Sequence, residues 1–81
     1  MYTVYILYSA SLDRYYIGQT NDLYGRLRRH VQSNQGFTSR GKPWELIYYE
    51  VWESRSAACH RELEIKGWKS RDRIIELIQA R

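Results

Sequence analysis

The chain holds a single cysteine, Cys59, in 81 residues. An internal disulfide is therefore excluded, and no Cys/His cluster has the spacing of a zinc site. No apolar run approaches the ~20 residues that cross a bilayer, and the opening MYTVYILYS lacks the basic region of a secretory leader. No internal repeat, linker or low-complexity segment interrupts the sequence. One unpaired thiol suits a reducing compartment, so these absences together predict a cytoplasmic chain with no membrane partner. The length predicts one domain, residues 1–81. Such a domain buries only roughly 60% of its unfolded surface.

What is present is aromatic and basic. Eight Tyr, three Trp and one Phe supply the packing that staples would otherwise provide. Thirteen Lys+Arg against nine Asp+Glu leave a net charge of +4, which favours an anionic partner such as nucleic acid. Tyr2 to Tyr8 is an unbroken β-branched and aromatic run and reads as a strand covered on both faces. Ser9 to Asp13 is a turn, and Arg14 to Gly18 returns as an antiparallel partner. Gly18 is expected to end that strand by freeing the backbone to turn.

Asn21 is the expected helix N-cap, with Asp22 in the first turn. The helix runs to about Ser33 on a Leu23, Leu27, Val31 stripe, with Arg26 and His30 along one edge and Gly25 away from the core. Asn34 to Pro43 is a loop carrying Arg40 and Lys42. Trp44 to Trp52 is a third strand, grouped as Leu46 and Tyr48 against Ile47, Tyr49 and Val51, and predicted to be sandwiched. Ser54 caps a helix to about Lys69. Ser70 caps a short one with an Ile74, Ile75, Ile78 stripe. The order is β-β-α-β-α-α, an α+β sandwich around a three-stranded sheet.

Within the helix after Ser54 one carboxylate stands out. At 100° per residue with Leu63 at 0°, Cys59 falls at about 320°, Ala58 at about 220° and Ile65 at about 200°, and Glu62 lies inside that apolar arc at about 260°. Glu64, at about 100°, lies outside it. A carboxylate turned inward is costly unless paired, protonated or metal-bound. A Glu62–Lys66 pair one turn apart satisfies it; so does a divalent ion held beside a phosphate. Both readings stand on this pattern. Arg55 and Lys69 project along the same side and make its surroundings cationic. Alone, Tyr5 and Tyr16 are ordinary strand aromatics, His30 an exposed helical histidine, Cys59 a small core residue, and His60 structural or exposed. Trp44, Trp52 and Trp68 read as packing residues.

Taken in order, Thr3-Val4-Tyr5, Tyr16-Ile17-Gly18, Arg26, His30 and Glu62-Leu63-Glu64-Ile65-Lys66 resemble the GIY-YIG nuclease superfamily, and within it the small single-domain bacterial members. The two signature tyrosines lie eleven residues apart and an arginine follows the glycine by eight. The first element departs from Gly-Ile-Tyr; the second is intact. Gly67-Trp68-Lys69-Ser70 stands where the family often has an asparagine after the glutamate helix.

The resemblance implies a three-stranded antiparallel sheet flanked by helices. It also implies a metal-dependent endonuclease that hydrolyses phosphodiester bonds in DNA, structure-specific and linked to repair or recombination. It assigns Glu62 to Mg²⁺ or Mn²⁺, Arg26 to the scissile phosphate, Tyr5 to orienting or deprotonating the attacking water, Tyr16 to assisting it, and His30 to a phosphate oxygen or proton relay. Arg29, Arg40, Lys42, Lys66 and Lys69 would grip DNA that is branched, nicked or single-stranded. The alternative is a non-catalytic nucleic-acid-binding module that keeps the fold. A monomer or weak homodimer is expected.

Overall fold

The computed structural model describes residues 1–32 and 43–80, the side chains of residues 30–32 apart. Its elements are β1 (Tyr2–Ser9), β2 (Arg14–Thr20), α1 (Leu23–Gln32), β3 (Trp44–Trp52), α2 (Arg55–Gly67) and α3 (Arg71–Gln79). The strands form one antiparallel sheet in the order β2-β1-β3. This is the expected β-β-α-β-α-α fold. Among the described residues, no helix is long and apolar enough to cross a membrane.

The unbroken apolar run of β1 has its cause in that order. As the middle strand it is covered on both faces, and Val4, Tyr5, Ile6 and Leu7 are at most 1% exposed. Each such side chain contributes about 1.5–3 kcal/mol by leaving water. Alternation divides the strand between two cores. Val4 and Ile6 join Ile17 and Tyr48 beneath Ala58 and Ile65 of α2, with Ile74, Leu77 and Ile78 of α3 packed against them. Tyr5 and Leu7 face the other way, with Tyr16, Trp44, Leu46 and the Leu23 and Leu27 stripe of α1.

β3 departs from expectation in two ways. Opposite β1, the register shifts between Ile6 and Leu7, pairing Ile6 with Tyr48 but Leu7 with Leu46. Ile47 is thus a bulge, and Leu46 and Tyr48 lie on opposite faces instead of sharing one. Nor is the strand sandwiched along its length. It is an edge, and Tyr49, Val51 and Trp52 are 44%, 51% and 37% exposed. Polar handles make that end tolerable in water: Tyr48 Oη donates to Glu50 Oε2, and Trp52 Nε1 donates to Glu50 Oε1 at 2.9 Å.

The predicted caps of the two later helices are present. Ser54 accepts from the Ala57 amide at 3.1 Å and Ser70 from the Arg73 amide at 3.4 Å. α2 stops at Gly67, two residues early, and Lys69 links it to α3 with a positive φ of 50°. Leu63, expected on the apolar arc, is 68% exposed; the buried side of α2 centres on Ala58 and Ile65.

Charged clamps tie helices to the sheet. Arg61 Nε donates to Glu50 Oε1 at 2.7 Å, joining α2 to β3, while Arg61 and Arg73 lie over the ring of Trp68. In the β1–β2 turn, Asp13 accepts from Tyr8 Oη at 2.7 Å and from Arg71 Nη1 at 2.8 Å, anchoring the hairpin to the start of α3. The Arg71 and Tyr8 hydrogen bonds hold the Asp13 carboxyl well below its ordinary value of 3.8. A depressed carboxyl stabilises the fold above that ordinary value and loses its contribution as pH falls below it. Asp13→Asn is therefore expected to lower the urea midpoint by a constant amount from neutral pH down to about 5, with the difference shrinking below about 4. Urea titrations of both proteins across this range test it.

Candidate active site

Tyr5 sits in the central strand with its Cα opposite that of Gly18 in β2. Its side chain is fully buried and lies across that glycine: a Cβ at position 18 would fall 2.6 Å from the Tyr5 hydroxyl oxygen and 2.7 Å from Cζ. The absence of a side chain at Gly18 thus lets the phenol pass from the middle strand over the edge strand. This corrects the expectation that Gly18 ends the strand to free a turn. β2 runs on to Thr20, and glycine is needed there for room.

The turn comes after Thr20. The Thr20 hydroxyl accepts from the Asp22 amide at 3.0 Å, and Asp22 Oδ1 accepts from the Gly25 amide at 3.1 Å. Asp22, instead of Asn21, is therefore the cap of α1, because its carboxylate reaches the orphan amide of the first turn. Gly25 leaves the space that carboxylate fills, since a Cβ there would meet Oδ2 at 2.3 Å. Capped in this way, α1 begins close beside the end of β2 and carries Arg26 back toward the Tyr5 phenol.

Three of the residues singled out from the sequence meet at that phenol. The Tyr16 ring stacks beside Tyr5 with centroids 6.4 Å apart, and Trp44 braces Tyr16 edge-on at 6.2 Å. Arg26 reaches the Tyr5 oxygen with a side-chain hydrogen bond, and the Glu62 carboxylate acts on the same phenol through space. Burial pushes the Tyr5 phenol well above its ordinary value of 10; Tyr16 adds to the rise, Arg26 opposes it and Glu62 reinforces it. At neutral pH the group is therefore a neutral phenol that both donates and accepts.

Glu62 has the inward position read from the helix: its side chain is 19% exposed against 50% for Glu64. Lys66 Nζ lies 2.6 Å from Glu62 Oε2, so the one-turn ion pair is real and coexists with the approach to Tyr5. Lys69 lies further along, with Arg14, Lys66 and Arg71 around a groove between β2 and the α2–α3 link. Arg29 shares a hollow with Arg26 on α1. Arg55, at the first turn of α2, shares another with Arg26; the sequence had placed it near Glu62 but not in the site. Ser70, which stands near the family's usual asparagine, is committed to capping α3. The His30 side chain, Arg40 and Lys42 lie outside the described residues.

Among the described residues no three His, Cys, Asp or Glu side chains converge, so they form no closed all-protein metal cage. A lone, partly exposed carboxylate among cationic side chains is a donor set of another kind. It fits an ion that keeps much of its water and takes further oxygens from phosphate, as Mg²⁺ does.

A family model described as the GIY-YIG catalytic domain matches residues 1–74. A UPF0213 protein of Haloquadratum walsbyi is 38% identical over 66 residues, covering 80% of this chain and 73% of the relative. A UPF0213 protein of Staphylococcus aureus is 35% identical over 67 residues, covering 82% and 80%. The solution NMR structure of a UPF0213 protein from Bacillus halodurans superposes with a TM-score of 0.63 at 28% identity, covering 100% of this chain and 86% of that one.

The Tyr5–Gly18 contact yields a direct test. Gly18→Ala is expected to cost about 1–3 kcal/mol through overpacking, read as a lower urea midpoint. In a Tyr5→Leu background the same change should cost clearly less, because the two sites are coupled. Equal costs in both backgrounds would refute the contact.

Proposed function

Since this chain belongs to the GIY-YIG family, a family of nucleases, we propose that it is an endonuclease hydrolysing phosphodiester bonds in DNA with Mg²⁺ or Mn²⁺. The observation that carries the reading is that Tyr16 stacks on the buried Tyr5, whose phenol lies within electrostatic reach of both Arg26 and Glu62. Packing alone gives no reason to gather an arginine and a glutamate there.

Each residue has a task that its chemistry suits. Glu62 would hold the divalent ion, which when bound polarises phosphate oxygens and makes water a better nucleophile. The planar fork of Arg26 grips the scissile phosphate and offsets the charge that develops in the transition state. Tyr5, kept neutral by burial, aligns the attacking water by hydrogen bonding and does not act as a base from its resting state. Tyr16, wedged between Tyr5 and Trp44, holds that phenol in place. His30, one turn beyond Arg26, donates to a phosphate oxygen. Lys66 and Lys69 extend the cationic surface beyond Glu62 for DNA with branched, nicked or single-stranded character.

The Lys66–Glu62 ion pair favours a second reading, a non-catalytic nucleic-acid-binding module in which the lysine satisfies the carboxylate permanently. Incubation with plasmid and branched DNA in Mg²⁺, Mn²⁺ or EDTA separates the two. Metal-dependent cleavage is expected, reduced about 10²-fold or more in Glu62→Gln and in Arg26→Gln. Cleavage that survives unchanged in Glu62→Gln would sink the assignment. DNA binding without cleavage on every substrate would establish the second reading.

A further inference from the structure

Two hollows adjoin at the end of β2, of about 210 Å³ and 230 Å³, and share Thr20, Asn21 and Arg26 as a common wall. Arg55 completes the first and Arg29 the second, so three arginines line two adjoining hollows, with Arg26 common to both. The ion pairs among the described residues use Arg61, Lys66 and Arg71, and none uses these three. No acidic side chain lines the first hollow. Asp22 lines the second, where its Oδ1 accepts from the Gly25 amide and its single charge offsets part of the cationic surplus.

This arrangement works against folding. Arg55 is the first residue of α2, where the helix dipole favours negative charge, and the first turn carries no acid to compensate. Three like charges around two adjoining hollows, against one carboxylate, repel one another as well. A polyanion reverses both penalties, because it meets the guanidinium donors with oxygen acceptors and is attracted by the helix start.

We infer that Arg55, Arg26 and Arg29 form a track for successive phosphates of one nucleic-acid strand. Arg26 takes the scissile phosphate, Arg55 its neighbour toward the start of α2, and Arg29 its neighbour along α1. The inference rests on the nuclease reading for the central phosphate and adds Arg55 as a binding residue. Recognition is by backbone charge and is indifferent to base sequence.

The test is equilibrium binding of a fluorescent single-stranded oligonucleotide in EDTA, followed by anisotropy over a salt series, with the matching duplex as a second arm. Each lost phosphate contact reduces the slope of log K against log salt by about 0.7 for a single strand. Arg55→Gln and Arg29→Gln are each expected to show that reduction, and Arg55→Lys to keep the wild-type slope. Arg73→Gln, on α3 over the Trp68 ring, serves as the unaffected reference. Arg55→Gln is also expected to hold or raise the urea midpoint, since a charge opposed to the helix dipole is removed; a purely structural role would lower it. An unchanged slope in Arg55→Gln, or wild-type protein that fails to bind even at low salt, overturns the track. A loss of about 0.9 per variant on the duplex, beside about 0.7 on the single strand, supports it as a track on one strand of a duplex. The nuclease reading is judged separately by cleavage in Mg²⁺ or Mn²⁺. Wild-type cleavage with an unaltered Arg55→Gln slope removes the track alone, and the predicted slopes without cleavage remove the nuclease alone.

Discussion

The passage of the Tyr5 phenol over Gly18 is the contact on which the rest of the site depends. Tyr5 starts in the most enclosed strand of the sheet, where a side chain is held rigidly by both neighbours. Its hydroxyl nevertheless reaches across the neighbouring strand, because the facing residue on β2 has no side chain. Arg26 on α1 and Glu62 on α2 belong to helices packed on different faces, yet both act on this one phenol. Rigidity and reach, usually opposed, are combined by one missing Cβ.

The charged residues divide by partner. Asp13 and Glu50 are engaged by Arg71 and Arg61 in clamps that fasten the helices to the hairpin and to β3. Those carboxylates are fully used by the scaffold. Glu62, Arg26, Arg55 and Arg29 are arranged differently: the acid is held by a lysine on the adjacent turn, and the arginines form no ion pair among the described residues. With so small a core available, placing charges where folding does not need them is a cost that a binding surface explains.

Much of this was legible in the sequence. Strand and helix order followed from periodicity, the caps Ser54 and Ser70 from their side-chain chemistry, and the inward turn of Glu62 from a helical wheel. The illegible parts share a cause: they depend on which residue lies opposite. Gly18 reads as a turn because a turn and a close crossing both call for glycine, and only the pairing with Tyr5 distinguishes them. The bulge at Ile47 exists only relative to β1. The apolar run of β3 resembles that of β1, yet edge and centre are set by sheet order. Asn21 and Asp22 are both competent caps, and the Thr20 hydroxyl decides between them by fixing the Asp22 amide. Leu63 misled as a reference because an apolar residue is free to sit on an exposed helix face.

The Ile47 bulge also decides which indole faces the site. Because the alternation of β3 slips by one residue, Trp44 is turned onto the α1 side, where it is 9% exposed and touches the Tyr16 ring. Trp52 instead lies on the outer end of β3 bound to Glu50, and Trp68 beneath Arg61 and Arg73. Of the three indoles, one therefore touches Tyr16, which stacks on Tyr5, while the other two stand apart. A Trp44→Phe protein therefore loses the one indole in contact with the site's tyrosines and keeps the two that are remote from them.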